Sequence, residues 1–508
     1  MSFDGDIDRF SLRRFLNDLV AAGECEIRTE PIDLADVAQA LETDSAVWFR
    51  AAGPERAELA GNILGSRTRL AMAFGVNPAS LLFEVNRRLR NEPGIVEITR
   101  DDAPVQQIAV TGCNADLTTL PVHLQHGLDG GLYISASIDY VKDKTSGLTN
   151  AGVRRLMLRG RNETGIDLVT PTDLRAIYQS YAARGEDLPI AFTVGSHPAD
   201  MVAAMMRVPA DELALVSSLR NQPLPVVKCL TNGIRVPADA EYVLEGYLDA
   251  KGFAESEGPY GEFLGYYGVV KQNPVFHCTA ITKRRDAIFQ TVTIGGYHNW
   301  RTDTAPLAAL RTEVTVWQAL QTAVREPLNV YATLASGGMF NIRISLRQRV
   351  TGEARNAIHA AFGCLANVKN VFVVDPDIDI FSGEQMDWAL ATRFQPDRDL
   401  VIGSSLRTLP LDPSLNPDSK TGAKAGFDLT WPPGASDALE RIVPEPPKYL
   451  GKRFADLRAA LRDGPKHFEE LMAAIESRDG REIVRELDRF RQEGGLERDH
   501  RGRWRLTD

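Results

Sequence analysis

The feature that most constrains this chain is a loop-forming stretch with two carboxylates, Glu255-Ser-Glu-Gly-Pro-Tyr-Gly-Glu-Phe-Leu-Gly-Tyr-Tyr267. Glu257 and Glu262 are separated by Gly258-Pro-Tyr-Gly261. Proline fixes φ and lacks an N–H, and glycine reaches positive φ, so this spacer predicts a shaped loop. Such a loop can aim both carboxylates at one point, where burial raises one pKa and a neighbouring cation lowers another. The alternative interpretation is a surface turn with two solvated glutamates.

Length and composition are those of a globular protein. The chain has 508 residues, 44% of them hydrophobic and 25% charged, and a formal net charge of −10. This length corresponds to about two to four domains. No run of about 18 apolar residues is present, so we expect no membrane span. The first residues lack an apolar signal core, and the negative charge makes nucleic acid an improbable partner.

Five cysteines are scattered along the chain without a C-x-x-C pair: Cys25, Cys113, Cys229, Cys278 and Cys364. An odd and dispersed set fits reduced thiols in the cytoplasm better than a disulfide framework or a zinc site.

Two further motifs accompany the carboxylate loop. Asn150-Ala-Gly-Val-Arg-Arg155 has the form N-x-G-x-x-R, and Gly422-Ala-Lys-Ala-Gly-Phe-Asp-Leu-Thr430 has the form G-x-K-x-G-x-D-x-T. Together with the loop and its Gly265-Tyr-Tyr267 sequel, they resemble the motifs of the UbiD family, and the likeness covers residues 12–433. These are reversible decarboxylases that use prenylated FMN. The resemblance implies a cytoplasmic homo-oligomer, a dimer or hexamer, whose flavin comes from a separate flavin prenyltransferase.

The strand and helix patterns predict a mixed α/β (α+β) fold. Residues 132–141 alternate as a strand, and later strands follow without regular βαβ alternation. A G-x-G-x-x-G fingerprint is also missing, which argues against a Rossmann sheet. With the resemblance, we predict an N-terminal α/β domain, a split β-barrel that binds prenylated FMN, a linking helix, a C-terminal α/β oligomerisation domain and a winged-helix-like extension, at residues 1–115, 116–305, 306–324, 325–440 and 441–508.

The chemistry requires a cofactor, because carboxylate loss leaves an electron pair on carbon that no side chain can accommodate. The resemblance implies that Glu262 is the proton donor and that Arg155 and Glu257 are its supporting pair. Arg155 can bind a carboxylate through a bidentate fork. Arg155 as a structural ion pair, or Arg154 as the inward arginine, are the alternatives.

The resemblance also assigns residues to the flavin phosphate and its cations, a divalent metal such as Mn²⁺ and a nearby K⁺. Asn150 and Glu212 match two metal ligands. The family's third ligand is a His in the region of Thr170-Pro-Thr-Asp-Leu-Arg175, which has no His, so Asp173 or Thr172 must replace it or the metal is altered. The cofactor-binding residues are predicted to be Asn150, Ala151, Gly152, Val153, Met206 and Lys424. An exposed loop lysine is the alternative for Lys424.

Substrate selection is expected from Thr293-Ile-Gly-Gly-Tyr-His-Asn-Trp-Arg301. His298, Trp300 and Arg301 can clamp an aromatic or heteroaromatic acid that carries a second polar group. Met339 and Phe340 are candidates for the facing wall of the pocket, or simply for core positions. The predicted substrate is thus a small aromatic or unsaturated acid, with CO2 as the second product.

Two rival functions remain. The first is a conventional flavin or hydrolytic enzyme that uses Glu257 and Glu262, although 7% aromatic residues give a sugar cleft no support. The second is a regulatory binding protein that works through the winged-helix-like extension. The arginines of that extension are interleaved with acidic residues, which favours a solvated or oligomer-contact surface over DNA binding.

Overall fold

The structure is a computed structural model that describes residues 4–206, 210–416, 418–419, 421–434 and 439–507. The chain divides into two compact units, Met1–Thr430 and Trp431–Asp508.

In the described residues the α-helices are α1 Leu12–Ala21, α2 Val37–Ala40, α3 Arg67–Ala73, α4 Leu81–Arg88, α5 Asp173–Ala182, α6 Pro198–Met205, α7 Glu212–Arg220, α8 Thr304–Ala323, α9 Glu353–Cys364, α10 Gly383–Arg393, α11 Pro396–Asp399, α12 Leu457–Asp463, α13 Phe468–Ala474 and α14 Gly480–Gln492. The strands are β1 Cys25–Arg28, β2 Ala46–Ala52, β3 Ala57–Gly61, β4 Ile95–Glu97, β5 Ile108–Thr111, β6 Tyr133–Lys142, β7 Thr149–Leu158, β8 Glu163–Ile166, β9 Leu188–Val194, β10 Leu224–Lys228, β11 Arg235–Pro237, β12 Tyr242–Leu248, β13 Glu255–Glu257, β14 Tyr260–Gly261, β15 Tyr267–Gly268, β16 Lys271–Asn273, β17 Val275–Lys283, β18 Ile288–Thr291, β19 Pro327–Ala332, β20 Asn341–Leu346, β21 Asn370–Val374, β22 Leu400–Arg407, β23 Thr421–Asp428, β24 Leu496–Arg498 and β25 Trp504–Leu506.

A closed β-barrel lies at the centre of the first unit. Six strands pair in the order β12-β9-β6-β7-β8-β17, and the β12–β17 pairing closes the ring. The strands are antiparallel neighbours, and nearly every residue of β6 is buried. Closure leaves no exposed edge within the ring. The barrel confirms the predicted mixed α/β fold, and β5 extends it outward from β17.

The N-terminal sheet of the first unit includes a strand from beyond the domain boundary predicted at residue 115. The N-terminal sheet has the order β1-β2-β3-β18, so its last strand comes from beyond the barrel strands in sequence. Helix α1 packs beside it with buried Leu12, Phe15, Leu16 and Leu19, and Ser11 caps it by accepting from Arg14 N–H at 3.3 Å. The five-domain division stays a prediction.

The C-terminal part of the first unit is a five-stranded sheet with the order β19-β20-β21-β23-β22, in which β20, β21 and β23 run parallel. Helix α9 connects β20 to β21 and buries Ala354, Ala357, Ile358, Ala361 and Phe362. Helix α8 covers most of the predicted linking helix.

The second unit has its own small core, built from α12, α13, α14 and the β24–β25 hairpin. Its buried residues are Leu457, Ala460, Leu461, Leu471, Ala474, Ile483, Leu487 and Phe490. An isolated bridge also joins Lys466, between α12 and α13, to Trp504 of the hairpin. The assignment as a winged helix stays a prediction.

Within the described ranges, no helix combines the length and apolarity needed to cross a membrane. All five cysteines are free thiols, and Cys25, Cys229 and Cys278 are buried.

Candidate active site

The carboxylate loop forms between short strands. β13 ends at Glu257, the Gly258–Pro259 peptide bond is cis, and β14 then pairs with β15. Gly258 has φ +92°, which glycine adopts at little cost. Glu257 is 1% exposed and Glu262 is 6% exposed. The alternative of a surface turn with solvated glutamates is therefore wrong.

Arg155 contacts both buried carboxylates. Its Nε lies 3.4 Å from Oε1 of Glu257, and its Nη2 lies 3.1 Å from Oε1 of Glu262. Side chains alternate in direction along a strand, so the preceding Arg154 of β7 points the other way. Arg154 pairs instead with buried Asp139 at 3.2 Å. Of the two arginines, Arg155 is the one that joins the carboxylate loop.

Two residues that the sequence analysis missed complete this cluster. Asp167, just after β8, accepts from Arg155 Nη2 at 3.2 Å and from Lys271 Nζ at 2.8 Å. Lys271 is the strand partner of Glu257 in the β13–β16 pair. Burial alone would lower the pKa of Arg155, but Glu262, Glu257 and Asp167 together raise it above the ordinary value. Arg155 is thus a permanent cation that opposes three carboxylates.

Glu257 is fixed by neutral donors as well as by Arg155. Tyr133 Oη donates to its Oε1 at 2.9 Å, and Asn273 Nδ2 donates to its Oε2 at 3.4 Å. The Tyr133 ring lies 4.4 Å from the Tyr260 ring, and Arg155 lies over Tyr260 at 4.5 Å. A carboxylate with this many donors is held in one orientation.

Glu262 differs from Glu257 in having few donors. Burial raises its pKa above the ordinary glutamate value, while Arg155 and Lys271 pull that pKa down less strongly. Its Oε1 lies 3.1 Å from Arg155 but has no aligned hydrogen-bond donor among the described residues. A desolvated carboxyl beside a fixed cation can hold a proton and release it, as a general acid must.

A second group of predicted residues meets in a cavity of about 240 Å³. Asn150, Ala151, Gly152, Val153, Met206, Asp173 and Glu212 all line it, beside Arg154 and Arg311. Asn150 Nδ2 donates to Glu212 at 2.9 Å, and Ala151 N–H donates to the same carboxyl oxygen. β7 thus has Asn150 at this cavity and Arg155 at the carboxylate loop.

The donors in this cavity fit a hard divalent cation. Asn150 Oδ1 is buried and has no hydrogen-bond partner among the described residues. Burial raises the pKa of Glu212 to about 8. Asp173 begins α5 and adds a second carboxylate. Thr172 also lines the cavity, but its hydroxyl caps α5 by accepting from Arg175 N–H at 3.3 Å. An amide oxygen and two carboxylates suit Mg²⁺, Mn²⁺ or Ca²⁺. Among the described residues, those of this cavity included, no three His, Cys, Asp or Glu side chains converge on one point.

The structure does not place Lys424 at this cavity. Its side chain is buried, and Nζ donates to the carbonyls of Phe362 and Leu365 at 2.8 Å each. These carbonyls lie at the C-terminal end of α9, where a cation is favourable. Burial lowers the pKa of Lys424 to about 8. Because Lys424 is buried, the exposed-loop alternative is wrong, and the phosphate-contacting role stays a prediction.

The predicted substrate residues separate into two places. His298 and Arg301 line a polar cavity of about 430 Å³ with His123, Gln125 and His126. Trp300 is 37% exposed and contacts the His298 ring edge-on at 5.2 Å. The sequence-based prediction did not include His123, Gln125 and His126, although they lie close together in Pro121-Val-His-Leu-Gln-His126.

Met339 and Phe340 are buried in a core cluster with Ala308, against Phe263 and Leu264 of the carboxylate loop. They take the core position that the sequence analysis left open.

The 430 Å³ cavity has little positive charge. Arg301 is paired with Asp44 at 2.9 Å, and burial lowers the pKa of His123 to about 4.

Comparisons with known proteins agree with this geometry. Residues 96–297 match the 3-octaprenyl-4-hydroxybenzoate carboxy-lyase Rift-related domain. Residues 305–429 match the C-terminal domain of the same carboxy-lyase family, UbiD.

Several characterised proteins are similar over most of their length. An anhydromevalonate phosphate decarboxylase of Methanosarcina mazei is 33% identical over 76% of this chain and 87% of its own. The UbiD-class enzyme HmfF of Pelotomaculum thermopropionicum, in complex with FMN, is 32% identical with a TM-score of 0.81, over 87% of this chain and 98% of its own. An evolved dimeric form of HmfF holds prFMN, with 30% identity, a TM-score of 0.76 and coverage of 85% and 98%.

A 3,4-dihydroxybenzoic acid decarboxylase of Enterobacter cloacae is 26% identical with a TM-score of 0.79, over 86% of this chain and 96% of its own. The closed barrel, the buried carboxylate loop and these matches lead to one assignment. The chain belongs to the UbiD family of decarboxylases.

Proposed function

We propose that this chain is a prenylated-FMN-dependent, reversible decarboxylase of an aromatic, heteroaromatic or α,β-unsaturated carboxylic acid. The observation that carries the proposal is the buried contact of one arginine, Arg155, with Glu262 at 3.1 Å and with Glu257 at 3.4 Å. Arg155 supplies a fixed cation that can bind a carboxylate, and Glu262 supplies a desolvated acid beside that cation. HmfF, which is similar over most of this chain, is bound to FMN in one structure and to prFMN in another.

Arg155 orients the reacting acid. Its guanidinium stays charged and is held from three sides by Glu257, Glu262 and Asp167. It can therefore receive the substrate carboxylate without moving, which places the bond to be broken. When bound, prenylated FMN supplies the electron sink that accommodates the electron pair left by loss of CO2.

Glu262 then delivers the proton. In its neutral form the O–H of Glu262 protonates the substrate carbon from which CO2 has left, and the carboxylate that remains is stabilised by Arg155 at 3.1 Å. Burial favours the neutral form before the transfer. The same steps in reverse carboxylate the product at high CO2, with Glu262 as the base.

The residues around the 240 Å³ cavity are proposed to hold the flavin phosphate through cations. Asn150, Glu212 and Asp173 would bind Mn²⁺ or another divalent metal, and K⁺ is proposed beside it. The unpartnered Asn150 Oδ1 and the desolvated Glu212 support this assignment. Ala151, Gly152, Val153 and Met206 form part of the same wall. Lys424 would need to leave the end of α9 to contact the phosphate.

The polar cavity limits the substrate class. Its guanidinium, Arg301, is balanced by Asp44, Glu42 adds a carboxylate, and buried His123 is neutral at pH 7. A phosphate there would have to compete with Asp44 for Arg301, and the substrate named for the M. mazei relative carries a phosphate. We therefore propose an acid with an uncharged polar ring or substituent, for which His123 and His298 offer hydrogen bonds.

The enzyme is proposed to work as a homo-oligomer, since one similar protein is a dimeric form of HmfF. Its cofactor is proposed to come from a flavin prenyltransferase.

The test begins with co-expression with a flavin prenyltransferase and the absorption spectrum and mass of the bound flavin. We expect prenylated FMN, followed by CO2 release from heteroaromatic and aromatic monoacids but not from phosphorylated acids. Plain FMN with redox activity would favour a conventional flavin enzyme. A protein without flavin under these conditions would contradict the proposal.

A further inference from the structure

A segment outside the predicted motifs holds the carboxylate loop from behind. Residues 125–130, called here the brace segment, contact three consecutive loop residues. Gly130 N–H donates to the Pro259 carbonyl at 2.8 Å, and Tyr260 Oη donates to Gln125 Oε1. Asp129 Oδ1 then accepts from Gly261 N–H at 2.9 Å. The brace segment thus fixes the backbone directly before Glu262.

Asp129 is the central acceptor of the brace segment. Its side chain is 0% exposed, and beyond Gly261 it accepts from His126 N–H at 3.0 Å and contacts His126 Nδ1 at 3.1 Å. Among its described contacts, no lysine or arginine is paired with it. A buried carboxylate bound by three N–H groups is a rigid acceptor, and its removal leaves those donors unsatisfied.

His126 closes the space behind the loop. A Cβ added to Gly261 would lie 2.5 Å from His126 Nδ1, closer than real contacts allow. The His126 ring also meets Tyr260 and Tyr267 edge-on at 5.6 and 6.4 Å. On the far side of Glu262, Tyr267 Oη accepts from the brace-segment Leu128 N–H at 3.0 Å. Both ends of the turn that carries Glu262 are therefore attached to the brace segment.

We propose that Asp129 and His126 are positioning residues for the decarboxylation, which hold Gly261 so that Glu262 is directed at Arg155. This inference rests on the proposed function of Glu262. A displacement of about 1 Å at a reacting group can cost about 100-fold in rate. The 3.1 Å contact between Glu262 and Arg155 leaves little room for such a displacement.

The first test compares Asp129→Ala and Asp129→Asn with a matched control, Asp249→Asn. Asp249, directly after β12, is also a carboxylate paired with a histidine, His277 at 3.0 Å, but none of its described contacts is to the carboxylate loop. Hydrogen exchange by mass spectrometry needs no substrate. We expect exchange in the peptide covering residues 258–268 to rise at least about tenfold in Asp129→Ala and to stay unchanged in Asp249→Asn.

Turnover measurements distinguish a positioning role of Asp129 from an effect on the stability of the protein. With the acid found in the CO2 screen, Asp129→Ala should lower kcat about 100-fold with KM within about threefold, and Asp129→Asn, which keeps one acceptor oxygen, should lie between. Faster exchange spread over the whole barrel, or a kcat loss that only follows the unfolded fraction, would overturn the proposal.

The second test uses the contact between Gly261 and His126. Gly261→Ala should lower kcat, because the new methyl group displaces the His126 ring. In the double variant with His126→Ala that clash is absent, so the two losses should not multiply, and its kcat should match that of His126→Ala within about threefold. Losses that multiply would show that the two residues act independently. If wild-type protein releases CO2 from no acid, the proposed function fails while the exchange experiment still decides whether the brace segment holds the loop.

Discussion

Arg155 lies 3.1 Å from Glu262, yet the facing Glu262 oxygen has no aligned donor in the part of the chain that the structure describes. The contact is electrostatic rather than a directed hydrogen bond. Because Glu257 and Asp167 also hold Arg155, the arginine is fixed independently of Glu262. Glu262 can therefore gain and lose a proton without releasing Arg155, the residue proposed to orient the substrate.

Replacing Glu262 should abolish turnover while leaving the cofactor in place. Glu262→Gln keeps the shape of the side chain but cannot deliver a proton, so kcat should fall by about 100- to 10,000-fold. The matched control is Glu255→Gln, an exposed glutamate of the same loop. Flavin absorbance should be unchanged in both. Wild-type turnover in Glu262→Gln would reject Glu262 as the donor.

The pH profile should follow the raised pKa of Glu262. The protonated form is the active one, so decarboxylation is retained below that pKa and lost as pH rises through it. Lys271 lowers this pKa. Lys271→Met should therefore move the alkaline limb of kcat to higher pH. A limb that stays in place, or that moves to lower pH, would indicate that another group titrates.

Asp173 should prove to be the third metal ligand. Asp173→Ala should weaken Mn²⁺ binding at least about tenfold, measured by the electron paramagnetic resonance of free Mn²⁺. Thr172→Ser is the control, since it keeps the hydroxyl that caps α5. Unchanged Mn²⁺ binding in Asp173→Ala would show that Asp173 is not a ligand.

Lys424 should act in stability rather than in flavin binding. Lys424→Met leaves the carbonyls of Phe362 and Leu365 without a donor, which should cost about 1–3 kcal/mol of unfolding free energy. Thermal unfolding and a flavin titration measure the two effects separately. Normal stability with weakened flavin binding would restore the phosphate-contacting role.

The second unit should be dispensable for catalysis. Its core consists of its own residues, so a chain that ends at Thr430 should still fold and keep kcat within about threefold. The measurement is the kcat of the truncated chain, compared with the kcat of the full chain. A soluble, flavin-loaded but inactive truncated chain would show that the extension takes part in the reaction.

The carboxylate loop was predictable because its constraints are local. Gly258, Pro259 and Gly261 determine the turn, and the alternation along β7 separates Arg154 from Arg155 only once the strand is known. Asp167, Lys271 and Asp129 were missed because they reach the site through barrel pairings and loop contacts between distant residues. The buried contacts of Lys424 could not be predicted, since flanking glycines do not reveal which face of a strand a lysine takes.

β7 places Asn150 at one cavity and Arg155 at the carboxylate loop, five positions apart in one barrel strand. At about 3.3 Å per residue this is a fixed spacing of about 16 Å. Under the proposed function, one end of the flavin would meet the metal ligands and the other the reacting acid, so this spacing would have to match the length of the cofactor. A single residue inserted between Asn150 and Arg155 would lengthen this distance and turn Arg155 to the opposite face of the strand, away from the carboxylate loop.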